Sequence, residues 1–159
     1  MSEQLSASAR RVQEVLESLG VTNRVVEMTE TTRSAQDAAR AVGCEVGQIA
    51  KSLVFKGASS HKGILVVASG ANRVNEKMLS RQLGEPALKA DADFVRQATG
   101  FAIGGVPPVG HPQPLTVFID EDLFQYADIW AAAGTPQAVF KLTPQELQKI
   151  TGGRVVCVK

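Results

Sequence analysis

Apolar positions recur at helical spacing in LSASARRVQEVLESLG, where Val12, Val15, Leu16 and Leu19 share one face and Gly20 stops the run. The pattern then tightens. TNRVVEM predicts a strand, followed by the polar stretch TETTRS and a second helix over AQDAARAV, with Ser34 as its cap and Gly43 as its end. Gln48 to Ala50 reads as a short helical turn before a strand that starts near Ser52. SLVF and GILVVAS, separated by KGASSHK, predict a strand pair joined by a long hairpin. VNEKMLSRQLG and DADFVRQATG read as helices, the second with Asp91 or Asp93 near its start.

GGVPPVGHPQP predicts a rigid irregular loop, LTVFID a strand, and EDLFQYADIWAAAG no definite element. AVFKL reads as a strand, TPQELQKITG as a short helix capped by Thr143, and RVVCV as the last strand. The expected fold is α/β, with about six or seven strands and several surrounding helices. Adjacent strands near residues 52–69 favour an antiparallel or mixed sheet over regular βαβ alternation. No repeat, low-complexity segment or linker divides the chain.

Composition narrows the class. With 159 residues, 44% of them hydrophobic and 21% charged, the chain reads as a single domain over residues 1–159 with a sizeable core. Seventeen Lys and Arg against sixteen Asp and Glu leave a net charge of +1, too little for a general phosphate binder. A few well-placed cations at one strand end stay compatible with that balance. Cys44 and Cys157 lack CxxC spacing, so a reducing cytoplasm is expected. GILVVAS is too short to span a bilayer, and the N-terminal stretch has no apolar targeting core, so no membrane association is expected.

Several familiar chemistries lack their residues. His61 and His111, the two histidines, sit in no zinc-type spacing, so neither a metal nor another cofactor is expected. There is no GxSxG elbow, Walker loop or dinucleotide fingerprint. Cys44 follows a helix terminator and Cys157 lies on an apolar terminal strand, so both read as packing residues.

Two features remain. Lys51 in GQIAKSLVF has Ile49 and Leu53 nearby. It either snorkels along apolar groups or places an ammonium at a cleft, to bind phosphate or stabilise developing negative charge. FAIGGVPPVGH holds Pro107 and Pro108 among Gly104, Gly105 and Gly110. Such a loop either connects sheet elements or aims backbone N–H groups at a carbonyl oxygen.

TRSAQDAA, GQIAKSLVF, GILVVASG, ATGFAIGGVPPVG and the late DIWAAAG, in that order, resemble the YbaK/prolyl-tRNA-synthetase-associated editing-domain family over roughly residues 20–156. The resemblance implies a compact α/β domain with a mixed, partly barrel-like sheet surrounded by helices. It also implies a trans-editing deacylase that hydrolyses the ester joining a wrong amino acid to tRNA. The family lysine carries over to Lys51, and its glycine-proline loop to Gly105, Pro108 and Gly110. Its pocket-facing segment corresponds approximately to Met28–Ser34, including Thr32.

On that basis Lys51, Gly104 and Gly105 are the expected catalytic groups, the glycines through their N–H groups. Met28, Thr32, Ser34, Ser52, Val106, Pro108, Gly110, His111, Ala133 and Gly134 are the expected substrate contacts. His111 either reaches the attacking water or makes a structural loop contact, and Ser34 is equally well explained as a cap. AAAGTPQAVFKL departs from the family, whose members often carry basic residues or a histidine there. A pocket bounded by Met28, Val106 and Ala133 would be small and apolar, which favours alanine or a similarly small residue. The expected partners are the acceptor end of a mischarged tRNA and an aminoacyl-tRNA synthetase, for a protein expected to be monomeric. The alternatives are a catalytically silent tRNA- or synthetase-binding module and a small-molecule ester hydrolase.

Overall fold

Five consecutive buried residues, Ile64 to Ala68, make GILVVAS the central strand of the molecule. The computed structural model describes residues 5–32 and 34–159. Its elements in chain order are α1 (Ala7–Ser18), β1 (Val25–Glu27), α2 (Ala35–Val42), β2 (Ile49–Gly57), β3 (Gly63–Ser69), α3 (Glu76–Leu83), β4 (Ala87–Lys89), α4 (Ala92–Thr99), β5 (Thr116–Asp120), β6 (Ile129–Ala132), β7 (Ala138–Leu142), α5 (Pro144–Thr151) and β8 (Arg154–Val156). Short 3-10 turns cover Val46–Gln48 and Glu121–Gln125.

The caps follow the sequence reading. Ser34 Oγ accepts the Asp37 N–H at the start of α2, and Asp91 rather than Asp93 caps α4. Thr143 and Glu146 form a reciprocal capping box on α5. Gly43 ends α2 in the left-handed conformation, with φ 79°, where a side chain would be strained.

All eight strands join one mixed sheet in the order β1-β7-β6-β2-β3-β5-β8, with β4 as a branch on β2. The β2–β3, β2–β4, β6–β7 and β1–β7 pairs are antiparallel, and β2–β6, β3–β5 and β5–β8 are parallel. One core lies between the sheet and α1, with Val12, Leu16, Phe101, Ile119 and Phe140 buried in it. A second, on the opposite face, gathers Phe55, Ile64, Val66, Leu79 and Phe118. Ala38 and Ala39 of α2 pack on Ile49 beside Trp130.

Three readings change. Ile49 and Ala50 belong to β2, because the helical turn ends at Gln48 and both residues pair with Trp130 and Ala131 of β6. Lys51 therefore sits inside a strand. EDLFQYADIWAAAG resolves into a 3-10 turn and β6. β4 had no sequence signal: three residues are too few to show alternation, and its central Leu88 is 50% exposed.

Candidate active site

One edge of β2 is shared by two strands that do not meet. β6 pairs with Ile49 and Ala50, and β4 pairs with Phe55 to Gly57. β4 leaves the sheet because Asp91 turns the chain into α4; its last contact is Ala90 N–H to Val54 C=O at 3.4 Å. Residues 51–53 thus border a split in the sheet.

A cavity of about 560 Å³ opens through this split. It is lined by Lys51, Ser52, Gly104, Val106, Ala131 and Trp130, among others, with Thr32 and Ser34 at its α2 side. That volume suits a small acyl group together with the sugar that carries it. Successive strand residues point to opposite faces, so Ser52 shares the face of Ala50 and Val54 in the α1-side core. Lys51 shares the face of Leu53 and Phe55.

The Lys51 ammonium is half-buried and forms no ion pair among the described residues. Burial lowers its pKa below the usual lysine range, Arg73 lowers it further as a like charge, and Asp120 opposes both. Asp120 follows Ile119, the last β5 residue paired with β3, so Lys51, Ala68 and Asp120 fall in one row across the sheet. The small Ala68 side chain lies between cation and carboxylate. Asp120 is 1% exposed and accepts from the Ser69 N–H, the Asn72 Nδ2 and the Asp122 N–H at 2.8–2.9 Å. These bonds pin the turn after β3, from which Arg73 emerges.

Of the expected loop donors, Gly104 lines the cavity, and its N–H is given to no protein acceptor among the described residues. Gly105 does not line it. Its N–H is donated to Ala102 C=O at 3.1 Å and its C=O accepts the Gly134 N–H at 2.8 Å, so the Gly105 N–H is not free for a substrate. A Cβ at Gly105 would lie 2.8 Å from the backbone N, Cα and C of Thr135, which cannot swing away. Gly105→Ala is predicted to cost about 1–3 kcal/mol, read as a fall in Tm of the purified protein.

Pro108 and Val109 are buried, and Gly110 adopts φ 90° beside Val15 and Phe101, so this half of the loop packs into the core and lies off the cavity. His111 Nε2 donates to Pro107 C=O at 2.8 Å, and burial lowers its pKa. His111→Ala is predicted to lose about 0.5–1.5 kcal/mol of stability while changing the deacylation rate less than about threefold. A rate loss larger than tenfold with an unchanged Tm would assign it to the chemistry.

The other expected contacts divide similarly. Thr32 is buried on the cavity wall, with its N–H and Oγ1 both given to Pro136 C=O. Met28 donates its N–H to Gln137 C=O and does not line the cavity, and neither do Ala133, bonded to Ala138 C=O, and Gly134, bonded to Gly105 C=O. Arg33, within the Met28–Ser34 segment, lies outside the described residues, as do residues 1–4. Trp130, Ala131 and Ile103 also line the cavity; the first two lie in the DIWAAAG run, whose role shows only once β6 is placed, and Ile103 sits in the loop beside Gly104.

Among the described residues, no group of three or more His, Cys, Asp or Glu could hold a metal ion. No helix there is long and apolar enough to cross a membrane. Burial and Glu45 push the Cys44 thiol up, away from nucleophile chemistry.

Over almost its whole length the chain has the architecture of an editing hydrolase. It superposes on a solved structure described as a proposed trans-editing enzyme for prolyl tRNA synthetase, with a TM-score of 0.93, 51% identity, and coverage of 98% of this chain and 99% of that one. Residues 29–150 match the aminoacyl-tRNA editing domain, and the chain belongs to that family. It is 31% identical over 133 residues to the uncharacterized protein YwhH of Bacillus subtilis (strain 168), covering 84% of each chain. It is 26% identical over 127 residues to EbsC of Enterococcus faecalis (strain ATCC 700802 / V583), described as a proposed Cys-tRNA(Pro)/Cys-tRNA(Cys) deacylase, covering 79% of this chain and 77% of that one. The protein is a trans-editing aminoacyl-tRNA deacylase, a hydrolase of the ester on mischarged tRNA.

Proposed function

We propose that the split-sheet cavity takes the acceptor end of a tRNA mischarged with a small amino acid, alanine in the first instance, and hydrolyses its ester there. The observation that carries this reading is that Lys51, Ser52 and Gly104 face one cavity whose acyl-side wall is Ala50, Val54, Val106 and Ala131. Such a wall accepts a methyl or ethyl group and crowds larger side chains.

Water adds to the acyl carbonyl carbon, and the negative charge that builds on the carbonyl oxygen is met by the Lys51 ammonium, with the Gly104 N–H available from the other side. Collapse breaks the bond to the ribose oxygen, which takes the proton lost by the water. Free amino acid and tRNA leave. Among the described residues that line the cavity there is no carboxylate and no imidazole. The water is organised by the substrate itself, through the vicinal ribose hydroxyl or the α-amino group. A synthetase for proline is the partner favoured by the editing enzyme that this chain resembles.

A panel of tRNAs labelled on alanine, serine, cysteine, threonine and proline tests the reading. Rapid release from the alanyl member supports it. Binding without release from any member favours a silent module, and activity confined to free esters favours a small-molecule hydrolase.

A further inference from the structure

The split leaves one strand residue without a neighbour. Ile49 C=O and Gly57 N–H bond toward β3, to Gly70 N–H and Lys62 C=O, so the odd-numbered residues of β2 face β3. The even-numbered ones face the shared edge. Ala50 is paired there by β6, and Val54 C=O and Lys56 by the β4 side. Ser52 lies between them, and no strand stands opposite its N–H and C=O. Its hydroxyl is also orphaned: Ser52 Oγ is fully buried with no hydrogen-bond partner, the only such side-chain atom among the described residues.

Three polar atoms of one cavity-lining residue therefore lack partners, where native proteins leave few. Groups of this kind take a bound water or a ligand as their partner, and these border a cavity.

Resting on the deacylase reading above, we propose that the aminoacyl group binds as the missing ladder residue opposite Ser52. An aminoacyl ester carries a donor and an acceptor on either side of one Cα, as a strand residue does. Its α-ammonium donates to Ser52 C=O, and its acyl carbonyl accepts the Ser52 N–H, reproducing an antiparallel hydrogen-bonded pair. It occupies the position β4 would reach had Asp91 not turned the chain into α4.

Directly opposed residues share a sheet face. The substrate side chain then falls on the Ser52 face, beside Ala50, Val54 and Ala131, with Ser52 Oγ taking its hydrogen bond from the ligand. The carbonyl lies in the split, open to Lys51 from one face and to the Gly104 loop from the other. Selection of this kind reads the α-amino group and the hand of the Cα, and leaves the side chain to be sorted by size.

The test uses the wild-type protein and two non-hydrolysable probes, 3′-(L-alanylamino)-3′-deoxyadenosine and its 3′-propionylamino counterpart, which lacks the α-amine. The expected result is at least about tenfold weaker binding of the propionyl probe, the value of one charge-assisted hydrogen bond. The alanyl probe also shifts the Ser52 amide proton downfield and slows its exchange. Ser52→Ala, which removes the orphaned hydroxyl, keeps its Tm or raises it and loses about tenfold in kcat/KM. Equal binding of the two probes with an unperturbed Ser52 amide, in protein that still hydrolyses mischarged tRNA, overturns the ladder pairing alone. Absence of hydrolysis on every mischarged tRNA overturns the deacylase reading on which it rests.

Discussion

Lys51→Ala is expected to lower the single-turnover rate of deacylation by about 10²–10³-fold, the usual loss when a stabiliser of the oxyanion is removed. The fold should be unaffected. Lys51 makes no ion pair among the described residues, and burial already disfavours its charge, so the apolar variant relieves a desolvated cation. A thermal melt on the same sample checks this half of the prediction.

The lowered pKa of Lys51 also fixes a pH signature. The ammonium is the active form, so the rate falls as pH rises through a value below the ordinary lysine range. Arg73→Ala removes the like charge and should move that alkaline limb upward; Asp120→Asn removes the opposing carboxylate and should move it down. For stability the sign is opposite. Between the folded and unfolded pKa the unfolded chain binds the extra proton, so this group adds stability as pH rises through that window.

Asp120→Ala is expected to be the most destabilising single change near the site. It strands the Ser69 and Asp122 N–H groups and takes one of two acceptors from the Asn72 amide, which keeps Asp122 Oδ2, so the turn after β3 loses two of its ties. Hydrogen bonds to a charged acceptor contribute about 1.5–3 kcal/mol each, so a total near 3 kcal/mol or more is expected. In a chain of this size that is a fall in Tm of roughly 6–12 °C. A thermal melt measures it directly. A fall below 2 °C would show that Asp120 is not holding the turn.

Most of the helices were legible because their ends carry chemistry that acts locally: Ser34, Asp91 and Thr143 accept their own backbone donors, and Gly43 closes a turn only glycine closes cheaply. β3 was legible from its run of apolar residues. The site was legible only through the ordered motifs of a resemblance, and its decisive feature was not. The split at Ser52 arises because β4 and β6 approach one edge of β2 from chain positions about forty residues apart, and nothing near GQIAKSLVF records where either stops. The loop shows the same limit. GGVPPVG advertised free backbone donors, yet Gly105 is bonded to Ala102 and backed by Thr135, a contact between loops thirty residues apart in sequence.

A crystal structure with 3′-(L-alanylamino)-3′-deoxyadenosine shows whether the aminoacyl group sits opposite Ser52. The acyl carbonyl oxygen is expected about 3 Å from the Ser52 nitrogen, with the Lys51 ammonium approaching from the face of Leu53 and the alanyl methyl against Ala50, Val54 and Ala131. A nucleoside seated instead in the polar groove beside Lys62 and Arg154, with the split at Ser52 vacant, would contradict it.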